Sequence, residues 1–229
     1  MTESTIENPR SLSGMNHSAL SSYSVDADVE RLLQYTQQKF GQDQIVQAKE
    51  DFFWLMGKVF HDDDFYEARM TYFLDTYLFE RPIRTNNRTL NSPLYLFKDE
   101  TPIGFEITSF RHSLFHIKRL NAQKVLVNDL LEGQSFEVHG KPGESFKHLE
   151  NKQILQGFVY RTKDQSFWSK GIIYHPIPAN SIILRSVKQF QNDPNISFTK
   201  ILGLFAKQNL RYLRQGHNDP KKIYSEQLS

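Results

Sequence analysis

Cysteine is absent from all 229 residues. That removes disulfides, thiolate–zinc sites, iron–sulfur clusters and cysteine nucleophiles together. Long apolar runs are missing too. The longest, Phe52–Gly57 and Ile201–Ala206, fall far short of the ~20 residues that span a bilayer. Neither Gly-x-Gly-x-x-Gly nor Gly-x-x-x-x-Gly-Lys-Ser/Thr occurs, so the common ATP, GTP and NAD enzymes lose their phosphate-binding loops. A Gly-x-Ser-x-Gly nucleophile elbow is lacking as well, because Gly143-Glu144-Ser145-Phe146 has no closing glycine. Hydrophobic residues are sparse at 38%, against roughly 45–50% in ordinary globular domains. Eighteen Phe, ten Tyr and two Trp compensate, since each aromatic ring buries far more area than Ala or Val. The expectation is a modest, aromatic-rich core in a helix-plus-strand protein.

Net charge is only +2, but it is unevenly spread. Residues 1–100 carry 10 Lys+Arg against 16 Asp+Glu, residues 101–184 carry 10 against 7, and residues 185–229 carry 8 against 3. An acidic front and a basic tail either guide an anionic partner or attract each other within one fold.

Residues 1–24 hold seven Ser and no helical or strand period, a composition that predicts a disordered tail. The chain start lacks the continuous apolar core of a secretory signal, which predicts a cytoplasmic protein. Residues 25–100 read as a helical unit. Asp28 is the expected start of a first helix stopped by Gly41, and Asp43 that of a second. Asp64 with Glu67 three residues on has the spacing of a capping box for a third, which Pro82 ends. Ser92-Pro93 has the form of a helix start with serine as cap.

After Pro102 the period changes. Ser113–Leu120, Lys124–Leu131, Ser135–His139, Ile154–Arg161 and Phe167–Tyr174 are short segments rich in Leu, Val, Ile and Phe. They predict, over residues 101–177, a small antiparallel five-stranded barrel or bent sheet. Gly140-Lys141-Pro142-Gly143 reads as a turn within it. Residues 178–229 read as C-terminal helices, Asn180–Gln191 and Ser197–Gln215, packed on the preceding units, with the last dozen residues a loosely held tail. The fold class expected is α+β.

The segment His61–Pro82, with Phe73-x-Asp75 and Arg81-Pro82, is followed by Ser113-Leu114-Phe115 and Asp129-Leu130-Leu131. Over residues 45–185 this pattern resembles an uncharacterised group of bacterial cytoplasmic proteins, in which such a helix precedes a small β-domain. The resemblance implies a helical-plus-barrel architecture and no activity.

Several clusters carry potential chemistry. His61, Asp62, Asp63, Asp64 and Glu67 have the oxygen and imidazole donors that suit Mg²⁺ or Mn²⁺. Acidic groups at a helix start equally offset the helix dipole, and no second acidic motif faces the run. His112 and His116 lie four apart, but a histidine metal site needs a third ligand, and His139, His148 and His175 cannot be placed from spacing alone. No metal and no cofactor is therefore expected. Arg81, Arg84 and Arg88, around Asn86 and Asn87, form a basic loop suited to phosphate or carboxylate, or to pairing with local acids. The sharpest pattern lies in the last long helix. At 100° per residue from Lys200, Lys207, Arg211 and Arg214 fall at about −20°, +20° and −40°. Phe198, Ile201, Leu202, Phe205, Tyr212 and Leu213 lie opposite, and no acid occurs in the segment. The favoured reading is a non-catalytic regulatory or adaptor module that binds another protein. One alternative is nucleic-acid binding through the basic helix, with Lys118, Arg119 and Lys124 of the β-region. The other is an enzyme of unrecognised type using the acidic start at 61–67.

Overall fold

Glycine divides the N-terminal helical sequence where the periodicity breaks. The computed structural model describes residues 17–85, 88–100, 104–141, 146–216 and 218–225, with only the backbone of 17–24. Helix α1 is His17–Phe40 and α2 is Gln42–Met56, separated by Gly41 at φ 73°. Gly57, at φ 94°, ends α2 and donates its N–H to the Phe53 carbonyl, a left-handed turn that glycine makes without steric cost. Helix α3, Tyr66–Asp75, runs into one π-helical stretch, Thr76–Glu80, and stops before Pro82. Helix α4 is Pro93–Glu100.

Strands β1 Ser109–Leu120, β2 Lys124–Asp129, β3 Ser135–His139, β4 Ile154–Arg161, β5 Ser166–Trp168 and β6 Ile173–Tyr174 form one mixed sheet among the described residues. Strand β1 pairs antiparallel with both β2 and β4, β2 with β3, and β4 with β5. A single parallel pair, His139 with Phe167, joins β3 to β5 and closes a ring of pairings. Strand β6 lies on the β5 side of β4. The chain ends in α5 Asn180–Gln191, α6 Phe198–Gln215 and α7 Pro220–Ser225. The α+β class and a bent, ring-like sheet expected from the sequence are seen, with six strands rather than five and one parallel pairing in place of a wholly antiparallel sheet. Among the described residues, no helix is long and apolar enough to cross a membrane.

Strand alternation builds two cores. Ile154, Phe158 and Tyr160 of β4 pack with the helices, while Leu155 and Val159 face Phe115, Val127, Val138 and Trp168 inside the ring. Strand β4 is therefore buried on both faces, which is why it reads as a nearly continuous apolar run.

The differences from expectation have local causes. Residues 1–16, and Pro142 and Gly143 of the expected turn, lie outside the described residues. Helix α1 starts at His17 rather than Asp28, because extending a docked helix costs much less than nucleating one. Asp28 lies buried within it and accepts the Glu106 and Ile107 N–H groups at 2.6 and 3.1 Å. No capping box forms at Asp64, since α3 begins after Phe65 with no side-chain cap. Asp63 serves that stretch instead and accepts the Phe60 N–H at 2.8 Å. Helix α4 starts at Pro93 directly after Ser92, as expected, and the Ser92 hydroxyl donates to the Phe79 carbonyl at 2.8 Å, a group inside the π stretch. The expected strand Phe167–Tyr174 is split into β5 and β6 at Gly171, where the chain presses on α3. A Cβ on Gly171 would lie 2.4 Å from the Tyr72 backbone nitrogen. Within the expected loose tail, Pro220–Ser225 form α7, whose Ile223 and Tyr224 are buried.

Candidate partner-binding face

Two glycines bring α6 against the end of α2. A Cβ on Gly203 would stand 2.9 Å from the Leu55 carbonyl oxygen, and one on Gly57 2.7 Å from Leu210 Cδ2. This close approach sets the loop after α2 beside the basic stripe of α6. Ser197 caps α6 by accepting the Lys200 N–H, a position that serine favours.

The inner side of α6 is locked by polar contacts. Arg69, buried in α3, donates to the Ala206 carbonyl at 3.0 Å and to Asn209 Oδ1 at 2.9 Å. Burial lowers its pKa to about 10. Asn209 donates to the Tyr174 carbonyl and Gln208 to the Tyr224 carbonyl, at 2.9 and 3.0 Å. The Leu202 carbonyl accepts from Gln156 Nε2 at 2.9 Å. Phe205 is fully buried, whereas Phe198 and Leu213, expected on the apolar side, are substantially exposed.

The outer side mixes cations with exposed aromatic rings. Trp54 is 80% exposed, and the Lys207 ammonium lies 5.5 Å from its ring centre. Phe60, about half exposed, is flanked by Lys58 Nζ at 5.4 Å and the Arg214 guanidinium at 5.2 Å. A shallow depression of about 220 Å³ is lined by Lys207, Leu210, Arg211, Arg214 and Gln215.

Not every expected site residue joins this face. Lys207, Arg211 and Arg214 do, and Lys200 continues the stripe toward the helix start. Arg214 also donates to Asp63 at 2.8 Å and to the Lys58 carbonyl at 2.9 Å, and its hydrogen bond holds Asp63 below the usual carboxylate range. This contact realises, for one cation, attraction between the basic tail and the acidic front. Arg81 is set apart from the stripe and pairs with Asp51 at 2.6 Å. Arg84 pairs with Thr89 in a short antiparallel bridge, and the Thr85 N–H donates to the Arg88 carbonyl. Lys124 pairs with Glu137 across β2 and β3.

Trp54, Phe60 and Lys58 were missed in the sequence because Phe52–Gly57 reads as a core run. A helical wheel carries the missing signal: Trp54 is two residues, about 200°, from both Phe52 and Met56, which are buried.

Two histidines, His112 and His175, are used inside the protein, whereas His61 is exposed. His61 lies against the Tyr66 ring and 3.2 Å from its hydroxyl. A hydrogen-bonded chain runs through the core. Gln156 Nε2 donates to the Tyr72 hydroxyl at 2.8 Å, and that hydroxyl lies 2.6 Å from His112 Nε2. His112 Nδ1–H then donates to Glu80 at 2.8 Å. On the other side, His175 Nε2 donates to Gln156 Oε1 at 3.2 Å and accepts from the Tyr224 hydroxyl through Nδ1 at 2.7 Å. Burial pushes His175 down to about 3, so it stays neutral, as this pattern requires. Among the described residues no three His, Asp or Glu side chains gather as a metal-holding group. Comparison of the chain with protein families, curated proteins and solved structures finds no match.

Proposed function

We propose that the protein is a non-catalytic adaptor or regulatory module of the cytoplasm. Its outer α6 face docks a partner protein segment that carries acidic side chains beside apolar ones. One observation carries the reading: the Trp54 ring is 80% exposed and has the Lys207 ammonium 5.5 Å from its centre, beside the basic stripe of α6 on a platform fixed from below. Trp and Arg dominate the energetic centres of protein interfaces. Burying a Trp removes on the order of 150–250 Å² from water. At about 25 cal/mol per Å² that is roughly 4–6 kcal/mol before ordering costs.

Nucleic-acid binding has the four cations in its favour, with rings on which bases stack. Against it stands the acidic run Asp62-Asp63-Asp64, whose Asp63 already holds Arg214 and would repel a phosphate chain there. The enzyme reading rests on that same run, where Asp63 is engaged by Phe60 and Arg214 and His61 by Tyr66.

The test replaces Trp54 with a photocrosslinking benzoylphenylalanine and irradiates the full chain in native lysate. Support requires protein adducts that resist nuclease, compete with an acidic, Leu-containing peptide, and vanish with Lys207→Glu and Arg211→Glu at unchanged melting temperature. Adducts with nucleic acid would turn the assignment to the alternative. Protein adducts indifferent to the peptide and the charge reversals would refute it.

A further inference from the structure

A separate cleft of about 220 Å³ opens between α2, the π stretch and the first turn of α6. Its floor is aromatic, with Phe52, Phe73 and Tyr77, and its polar rim includes Asp51, Glu80 and Arg81. The π stretch shapes this wall. Arg81 N–H reaches back five residues to the Thr76 carbonyl at 3.0 Å, and the wide turn puts Tyr77 and Glu80 on the cleft while Leu78 and Phe79 stay in the core. Single π turns are costly and recur at functional sites.

Charge decides what the cleft accepts. Arg81 is held by Asp51, and Glu80 is the second carboxylate on the rim. Glu80 receives one hydrogen bond from His112 Nδ1. The contact engages one carboxylate oxygen, Oε2, and orients the group at the rim.

We infer that this cleft binds a small organic ammonium with an apolar or aromatic body. The ammonium meets Glu80, and the body lies on Tyr77 and Phe73, whose ring faces attract cations. The volume lies below the roughly 300–1,000 Å³ of sites for drug-sized ligands, so the ligand is fragment-sized.

The test titrates the full chain with phenethylamine, phenethyl alcohol and phenylacetate, read by amide chemical shifts in NMR. Phenethylamine is expected to bind at least about tenfold tighter than either analogue, the gain of a charge-assisted hydrogen bond. Its shifts should map to the residues around Phe73 and Tyr77, and Glu80→Gln should remove the preference. Because Glu80→Gln also disturbs His112, a second variant acts from the exposed rim. Thr199→Arg adds a cation there without touching the core, and should weaken the amine about fivefold while favouring phenylacetate. Equal binding of the three compounds, shifts mapping elsewhere, or an amine indifferent to Thr199→Arg overturns the proposal.

Discussion

Asp75 allows the burial of a single carboxyl group to be weighed directly. It closes α3 and is fully enclosed. Tyr160 donates to one oxygen at 2.5 Å and Ser169 donates to the other. Burial raises its pKa from an ordinary 3.8 to about 7, against the partial restraint of the Ser169 and Tyr160 hydrogen bonds. Between those values the folded protein keeps a proton that the unfolded chain releases. Stability therefore falls as pH rises from about 4 to 7, by an amount on the order of 4 kcal/mol at about 1.4 kcal/mol per pH unit. Asp75→Asn keeps the shape and removes the ionisation. Its carbonyl accepts from Tyr160, and its amide can donate to Ser169 Oγ. Urea unfolding of both proteins, from mildly acidic to mildly basic pH, measures the difference. The variant should match the wild type near pH 4 and exceed it by several kcal/mol near pH 8. His175 acts in the opposite sense: its depressed pKa removes stability as pH falls from 6.5 toward 3. That contribution is common to both proteins and cancels in the difference curve. A difference that is flat, or that grows toward acid, would show that Asp75 is not held in a desolvated site.

The remaining predictions concern the α2–α3 loop and the helix contact. Asp64→Ala should change stability by less than about 0.5 kcal/mol, where a working N-cap would cost about 0.5–2. Asp63→Ala should cost about 1 kcal/mol in chemical unfolding, through the Phe60 N–H and Arg214. Gly203→Ala should cost roughly 1–3 kcal/mol in the same assay, because its methyl group would meet the Leu55 carbonyl at 2.9 Å on rigid backbone.

The outline of the fold was legible where periodicity and punctuation agree. Ile154–Arg161, Ser135–His139 and Asn180–Gln191 fall on their sequence boundaries, because an apolar pattern there meets a turn or cap residue at each end. Errors arose where a side chain's partner is distant in sequence. Asp28 has the form of an N-cap yet serves backbone 78 and 79 residues away. Asp64 has the capping spacing, but the neighbouring Asp63 makes the contacts. The split at Gly171 depends on how near α3 passes, which no local pattern encodes. On the candidate site, the α6 stripe followed from angular arithmetic alone. Its aromatic half did not, because Trp54 belongs to a different helix and joins the stripe only through the approach at Gly57 and Gly203.

That construction also explains why the ring stays outside. Phe52 and Met56 anchor the opposite side of α2, so turning Trp54 inward would rotate both out of the core. Burying one ring would expose two apolar side chains, a losing exchange at about 1.5–3 kcal/mol for each. The exposure of Trp54 is thus a consequence of which side of α2 meets α6. Its surroundings are not set by that constraint. Lys207 and Arg211 lie on the face of α6 turned away from Phe205, where folding imposes no charge. With no acid in α6, they add positive potential beside an apolar ring. A surface under selection for solubility alone would hide such a ring or surround it with charges of both signs. This face leaves the ring open and keeps α6 of one sign, the arrangement that the proposed docking of an acidic, apolar-edged partner would use.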